Sequence, residues 1–190
     1  MDPPFAKKLD KSRRPVRHGW QMPARTPLEQ LYDEHAGALF AFLLNLTRSE
    51  ADARDVLQEV FIKLAREPRR LAGIREERAF LMRLAHTAAE DLMRRREVRD
   101  RTREGFAAEL TPFAPADDPD EQLFRLELAA ALGELPAEQR AVVHLKLWEG
   151  LTFEEIAAVL GLPPNTAASR YRYGLDKLRG RLRPLYEEIK

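Results

Sequence analysis

The spacing of apolar residues constrains this chain more than any other feature. They recur at three- and four-residue intervals, and the strict alternation of a half-buried strand is nearly absent. Leu28, Leu31, Tyr32, His35, Leu39, Phe42, Leu43 and Leu46 all fall on one face of a single helix. Its start is written in "TPLE". Thr26 serves as N-cap, Pro27 takes the first helical position and Glu29 closes a capping box. Ser49 opens a second helix, "SEADARDVLQEVFIKLARE", with acids in the first turn where the helix dipole favours them. Pro68 and Gly73 punctuate "EPRRLAGIREER", and a third long helix is predicted from about Glu77 to Arg101. The chain therefore reads as all-α.

Periodicity is lost between Gly105 and Pro119, where three prolines gather. The predicted organisation is two small helical domains joined by a flexible linker. Residues 1–26 form a disordered basic tail, 27–101 the first domain, 102–119 the linker and 120–190 the second domain. Breaks at Gly133–Pro136, Glu149–Gly150–Leu151 and Gly161–Pro164 divide the second domain into four helices, a compact bundle. Charge is unevenly placed. The 1–26 segment carries seven lysines and arginines against two aspartates, residues 165–190 carry seven against three acids, and "ELTPFAPADDPDEQLFRLE" between them is acidic. Basic ends around an acidic middle suit contact with nucleic acid. A solvated surface is the plainer reading of the same charges.

The stretch "LTFEEIAAVLGLPPNTAASRYRYGLDKL" carries the most information. Thr152 and Glu155 make a second capping box, and Phe153, Ile156, Ala157 and Leu160 form the inward face of a short helix. Gly161 can take the left-handed geometry that ends it. Pro163 and Pro164 block continuation, and Asn165 is expected to cap the next helix. Two short helices across such a turn make a helix-turn-helix, whose second helix typically enters the major groove. A packed helical hairpin without DNA is the other reading. Ala167, Tyr171, Leu175 and Leu178 are expected to face inward, with Gly174 allowing close approach. Ala168, Ser169, Arg172, Tyr173 and Asp176 share the outward face. Arginine can hold phosphate or fork onto guanine, and a tyrosine hydroxyl can reach a phosphate.

Other classes are poorly supported. The chain has no cysteine, which excludes disulfides and thiolate-bound zinc. No apolar run approaches the roughly 18 residues a membrane span needs, and the basic N-terminus lacks the apolar core of a signal peptide. A cytoplasmic protein without membrane insertion is expected. The histidines at 18, 35, 86 and 144 show no HExxH or ExxH spacing, and no glycine loop matches a nucleotide-binding fingerprint. An enzyme is not expected, nor is any cofactor, metal or small-molecule substrate. His35 and His144 read as packing or surface residues and Trp148 as core.

At this point the residues resemble a known family. "ALGELPAEQRAVVHLKLWEGLTFEEIAAVLGLPPNTAASRYRYGLDKLR" is similar to region four of bacterial extracytoplasmic-function sigma factors, in both order and spacing. "LYDEHAGALFAFLLNLTRSEADARDVLQEVFIKL", with its Asp55, Gln58, Glu59, Phe61 pattern, resembles the first helices of region two. "AFLMRLAHTAAEDLMRRR" resembles that region's promoter-melting helix. The resemblance implies a sigma factor that binds core RNA polymerase and directs promoter recognition, melting and initiation. The alternative is a stand-alone helix-turn-helix regulator.

Roles follow by the same resemblance. Asp55, Gln58 and Glu59 would dock on the beta-prime clamp helices, and region four on the beta flap. The loop at residues 69–78 would take a flipped minus-10 base, with His86, Thr87, Glu90 and Arg94 along the melted strand. Ser169, Arg172 and Tyr173 would read the minus-35 element, with Thr166 and Arg170 nearer the backbone. The linker would thread into the polymerase, and an anti-sigma factor is an implied partner. The chain departs from the family's usual residues at Arg54, Phe80, Thr87 and Ala168, which bears on promoter preference more than on the general role.

Overall fold

A computed structural model of the chain describes residues 25–71, 74, 76–100 and 118–188. Most of the expected tail (1–24), residue 101 of the first domain, most of the linker (102–117), residues 72, 73 and 75 of the 69–78 loop and residues 189–190 lie outside them. Among the described residues the elements are α1 (Pro27–Thr47), α2 (Glu50–Arg66), a 3-10 turn (Pro68–Leu71), α3 (Glu77–Asp100), α4 (Pro119–Glu134), α5 (Ala137–Leu147), α6 (Phe153–Leu160) and α7 (Pro164–Glu188).

The ends are set locally. At α1 the Thr26 hydroxyl accepts from the Glu29 amide at 3.2 Å and the Glu29 carboxylate accepts from the Thr26 amide at 2.7 Å. The same reciprocal pair, Thr152 and Glu155, starts α6 at 3.2 and 2.6 Å. Two orphan amides are satisfied at each start. Gly161, at φ 66°, ends α6 in the left-handed region. One expectation is corrected. Asn165 does not cap α7, because the Pro163 carbonyl already accepts from the Thr166 and Ala167 amides and the helix begins at Pro164. Proline's fixed φ suits that first position, which leaves Asn165 inside the first turn.

Helices α1, α2 and α3 pack as one bundle and α4 to α7 as another, but the two do not stand apart. A single core joins Leu39, Phe42, Leu43, Val56, Val60, Leu81 and Met82 of the first to Val142, Leu145, Ile156, Val159 and Ala167 of the second. Helix α6 packs on α3, and α5 on α1. A smaller core of Ala131, Leu132, Leu135, Val143 and Leu178 closes the second bundle. Burying such side chains stabilises by roughly 1.5–3 kcal/mol each, so the seam belongs to the fold's main driving force.

Polar anchors cross the same seam. Arg140, buried in α5, donates to the carbonyls of Gly133 and Leu135 at 3.2 and 3.0 Å and to Leu46 at the end of α1 at 3.1 Å. Burial, and then the nearby Arg48 charge, bring its guanidinium down to about 10. Arg48, a non-glycine residue at φ 56°, donates to the Ala129 carbonyl at 3.1 Å. A Cβ built on Gly133 would sit 2.5 Å from that guanidinium, so glycine there lets Arg48 lie against α4.

Candidate nucleic-acid and polymerase interfaces

Helix α7 is held to the rest of its bundle by the stripe its sequence predicted. Ala167 and Leu178 are buried, and Tyr171 sets its ring edge-on to Phe153 with centroids 5.7 Å apart. Gly174 is where the close approach occurs, since a Cβ there would meet Val143 Cγ2 at 2.8 Å. The opposite face is presented outward. Arg172 and Tyr173 are exposed, Tyr173 at 55%, with the guanidinium carbon 5.3 Å from the tyrosine ring. That stacking orients the arginine fork without burying it. Thr166 and Ser169 are half-buried, and the Ser169 hydroxyl donates to the Asn165 carbonyl at 2.9 Å. Arg170 is half-buried and turned to Glu138 of α5, 2.6 Å away.

On α3 the four expected residues divide. Thr87, Glu90 and Arg94, with Arg83, form one exposed stripe at helical spacing. Arg94 pairs with Asp91 beside it, and the Thr87 hydroxyl donates to the Arg83 carbonyl. His86 sits at the edge of that stripe and is only 9% exposed, its ring stacked 6.4 Å from Phe42. Burial lowers its imidazole below the ordinary value, against the opposing pull of Glu90 at 3.6 Å. Of the neighbouring arginine run, Arg96 reaches back to buried Asp52 of α2 and ties the first bundle together.

Asp55 and Gln58 are exposed on α2, and Glu59, half-buried, pairs with Lys63 at 2.6 Å. Beside them lies a groove of about 490 Å3 lined by Tyr32, Arg54, Leu57, Gln58, Phe61 and Ile62. Ile62 is 41% exposed, and Tyr32 packs edge-on to Phe61 with centroids 4.8 Å apart. The helix thus offers polar groups rimming an apolar floor, a composition suited to a protein partner. Sequence reasoning placed Tyr32 with the core and left Ile62 unassigned. Only the neighbouring helix shows that they share a groove.

A further cluster was missed altogether. At the seam, Arg78 of α3 pairs with Glu149, just after α5, at 2.5 Å. Glu149 lies 3.6 Å from His144 Nε2, and Asn45 of α1 meets His144 Nδ1 at 3.3 Å. Burial would push the Glu149 carboxyl up, but the pull of His144 and Arg78 outweighs it and holds the carboxyl below its usual range. Trp148, expected in the core, is 37% exposed and packs its ring, tilted by 35°, against His144 with centroids 5.3 Å apart. Arg78, His144, Trp148 and Glu149, with Ala38, Ala41 and Leu132, line a cavity of about 250 Å3.

The all-α architecture matches what the comparisons return. The Sigma-70 region 2 family model matches residues 31–99, and the Sigma-70, region 4 model matches residues 125–178. The ECF RNA polymerase sigma factor SigL of Mycobacterium tuberculosis is 34% identical over 163 residues, covering 83% of this chain and 90% of that protein. The chain belongs to the ECF family of RNA polymerase sigma factors. The RNA polymerase sigma factor CarQ of Myxococcus xanthus is likewise 34% identical, over 87% of this chain and 95% of that one. Among solved structures, the sigma factor RpoE in complex with the anti-sigma factor NepR from Bartonella quintana superposes with a TM-score of 0.71. It is 24% identical and covers 82% of this chain and 96% of that one.

As an ECF sigma factor the chain binds core RNA polymerase and directs promoter recognition and initiation. The stand-alone regulator is not favoured, since it leaves the region 2 match without a role. Among the described residues no helix is long and apolar enough to cross a membrane, and no cluster of three or more His, Asp or Glu side chains is arranged to hold a metal.

Proposed function

We propose a division of labour among the three surfaces of this sigma factor. Residues 120–190, as region four, read the minus-35 element through Arg172, Tyr173 and Ser169, with Thr166 and Arg170 toward the backbone. Residues 27–101, as region two, hold the melted minus-10 strand along Thr87, Glu90 and Arg94, with His86 joining once uncovered. Asp55, Gln58 and Glu59, rimming the Tyr32–Ile62 groove, dock on the beta-prime clamp helices, and region four on the beta flap. The chain works in the cytoplasm without catalysis of its own. Residues 1–26 add a basic tail, and 102–119 link the two regions.

The observation that carries this reading is the exposed Arg172–Tyr173 pair on a helix anchored by Ala167, Gly174 and Leu178. It supports a base-reading role because only an unburied guanidinium can fork onto a base edge. An anti-sigma factor as partner is supported by the solved relatives, RpoE with NepR and CnrH with the cytosolic domain of CnrY.

The test is reconstitution with bacterial core RNA polymerase and transcription from a genomic promoter pool. Captured polymerase with new start sites is the expected result, and aligned start sites reveal both elements. Arg172→Ala should weaken minus-35-dependent initiation by about 10- to 100-fold, the value of one bidentate base contact. Failure to capture polymerase, with tight duplex binding by the protein alone, would overturn the reading.

A further inference from the structure

Asn165 has no structural task in α7. The Pro163 carbonyl accepts from the Thr166 and Ala167 amides at 2.9 and 3.1 Å, so the asparagine is not the cap and lies inside the first turn. Its side chain is exposed and makes no hydrogen bond among the described residues. An asparagine amide carries two donors and an acceptor oxygen with two lone pairs. Inside a helix it is also a poorer choice than alanine, which loses no side-chain entropy there. A polar group that the fold neither pairs nor needs is free for a ligand, and its position shows which one.

With 3.6 residues per turn, Asn165 falls within about 60° of Ser169, Arg172 and Asp176 around the helix axis. It heads the outward stripe, one turn before Ser169 and two turns before Arg172, on the face opposite buried Ala167 and Leu178. In a helix-turn-helix the N-terminal residues of the second helix come closest to the base edges. Asparagine is short, so it reaches a base only where the backbone comes near, and the side chains beside it, Ala168 and Ser169, are small. The other polar groups of this first stretch are committed within the protein. Ser169 gives its hydroxyl proton to the Asn165 carbonyl at 2.9 Å and keeps only lone pairs, and Arg170 is held by Glu138 at 2.6 Å. Only Asn165 offers an unpaired donor and acceptor side by side.

We propose that Asn165 is a specificity-determining residue of region four that reads one adenine of the minus-35 element. Its Oδ1 accepts from adenine N6 while its Nδ2 donates to adenine N7, the bidentate pairing that an amide makes in the major groove. Guanine presents two acceptors at the same edge and would leave Oδ1 facing another oxygen. The inference rests on the assignment of α7 to the minus-35 element and adds a residue to it. Arg172 supplies a charged fork farther along the helix, and Asn165 supplies a neutral one at its start.

The test uses the full chain assembled with core RNA polymerase. Transcription is measured from a library of one promoter, found by start-site mapping, in which the minus-35 element is randomised and each template carries a barcode. The native protein should favour adenine at one base pair by about 10- to 100-fold over the other bases. Asn165→Ala should reduce that preference to less than threefold and leave the preferences at other positions in place; circular dichroism should show its helix content unchanged. Asn165→Gln keeps the amide and should keep adenine, whereas Asn165→Arg should move the preference at the same base pair to guanine. A preference untouched by Asn165→Ala overturns the inference. So does a fall spread evenly over all sequences, which marks a backbone contact, or a loss in Asn165→Gln as complete as in Asn165→Ala. Failure of the underlying reading has a separate sign: Arg172→Ala would then leave every minus-35 preference as it was.

Discussion

Gly174→Ala sets two known effects against each other at one atom. An alanine inside a helix is favoured over glycine by about 1 kcal/mol, so propensity alone predicts a more stable protein. The new methyl, however, would sit 2.8 Å from Val143 Cγ2, and carbon atoms rest about 3.5–4.0 Å apart. Close to 1 Å of room is missing. Val143 is fully buried, stiff about its first side-chain torsion and packed among Leu132, Leu135 and Leu178, so it has nowhere to turn. Overpacking of this kind costs about 1–3 kcal/mol. The net expectation is a loss of about 1 kcal/mol. In a Val143→Ala background, itself costing about 2 kcal/mol, the obstacle is gone and the same substitution should stabilise by up to about 1 kcal/mol. Urea unfolding of the four proteins, followed by helical circular dichroism, gives both values. The reversal of sign is the diagnostic. If Gly174→Ala stabilises the native chain, or acts alike in both backgrounds, then propensity governs and Gly174 is not a packing glycine.

Three further outcomes follow from the structure. Arg140→Met leaves the carbonyls of Leu46, Gly133 and Leu135 without their charged donor and should cost about 3 kcal/mol; Arg140→Lys, with one ammonium for three directions, should recover less than half of it in the same urea assay. Thr152→Ala removes the hydroxyl that accepts from the Glu155 amide and should cost about 1 kcal/mol, read as faster exchange of that amide at the start of α6. His86 is held below its ordinary value near 6.5 by burial, so the unfolded chain takes up the proton first as pH falls. Its share of stability is complete above that value and declines as pH drops from there through the folded value; His86→Gln should flatten this part of the urea midpoint's pH dependence, leaving the loss from Glu149 and other carboxylates at lower pH.

The sequence alone settled what depends on a few neighbouring residues. Both capping boxes, the Gly161 stop and the inward stripe of α7 are local chemistry. Thr26 and Glu29, or Thr152 and Glu155, are three residues apart and need no other part of the chain. The same locality made the helix-turn-helix and the Asp55–Phe61 pattern readable. Its one local error, Asn165 as cap, came from weighing side-chain capping without the proline start beside it.

Only the tertiary structure decided which outer faces meet. Asn45 and His144 touch across 99 residues of chain, and Arg140 reaches Leu46 across 94. Periodicity says that α3 has an apolar face; it does not say that α6 covers a second flank or that His86 is buried against Phe42 of α1. Trp148 is shown as a partner of His144 rather than a core residue for the same reason, and Tyr32 and Ile62 become a groove only once α1 lies beside α2. A helix's pattern records how much of its surface is apolar, and the burial of that surface is satisfied by any apolar partner. The choice of partner, and with it the closure of region four over region two, is made by the shapes and charges that meet at the seam.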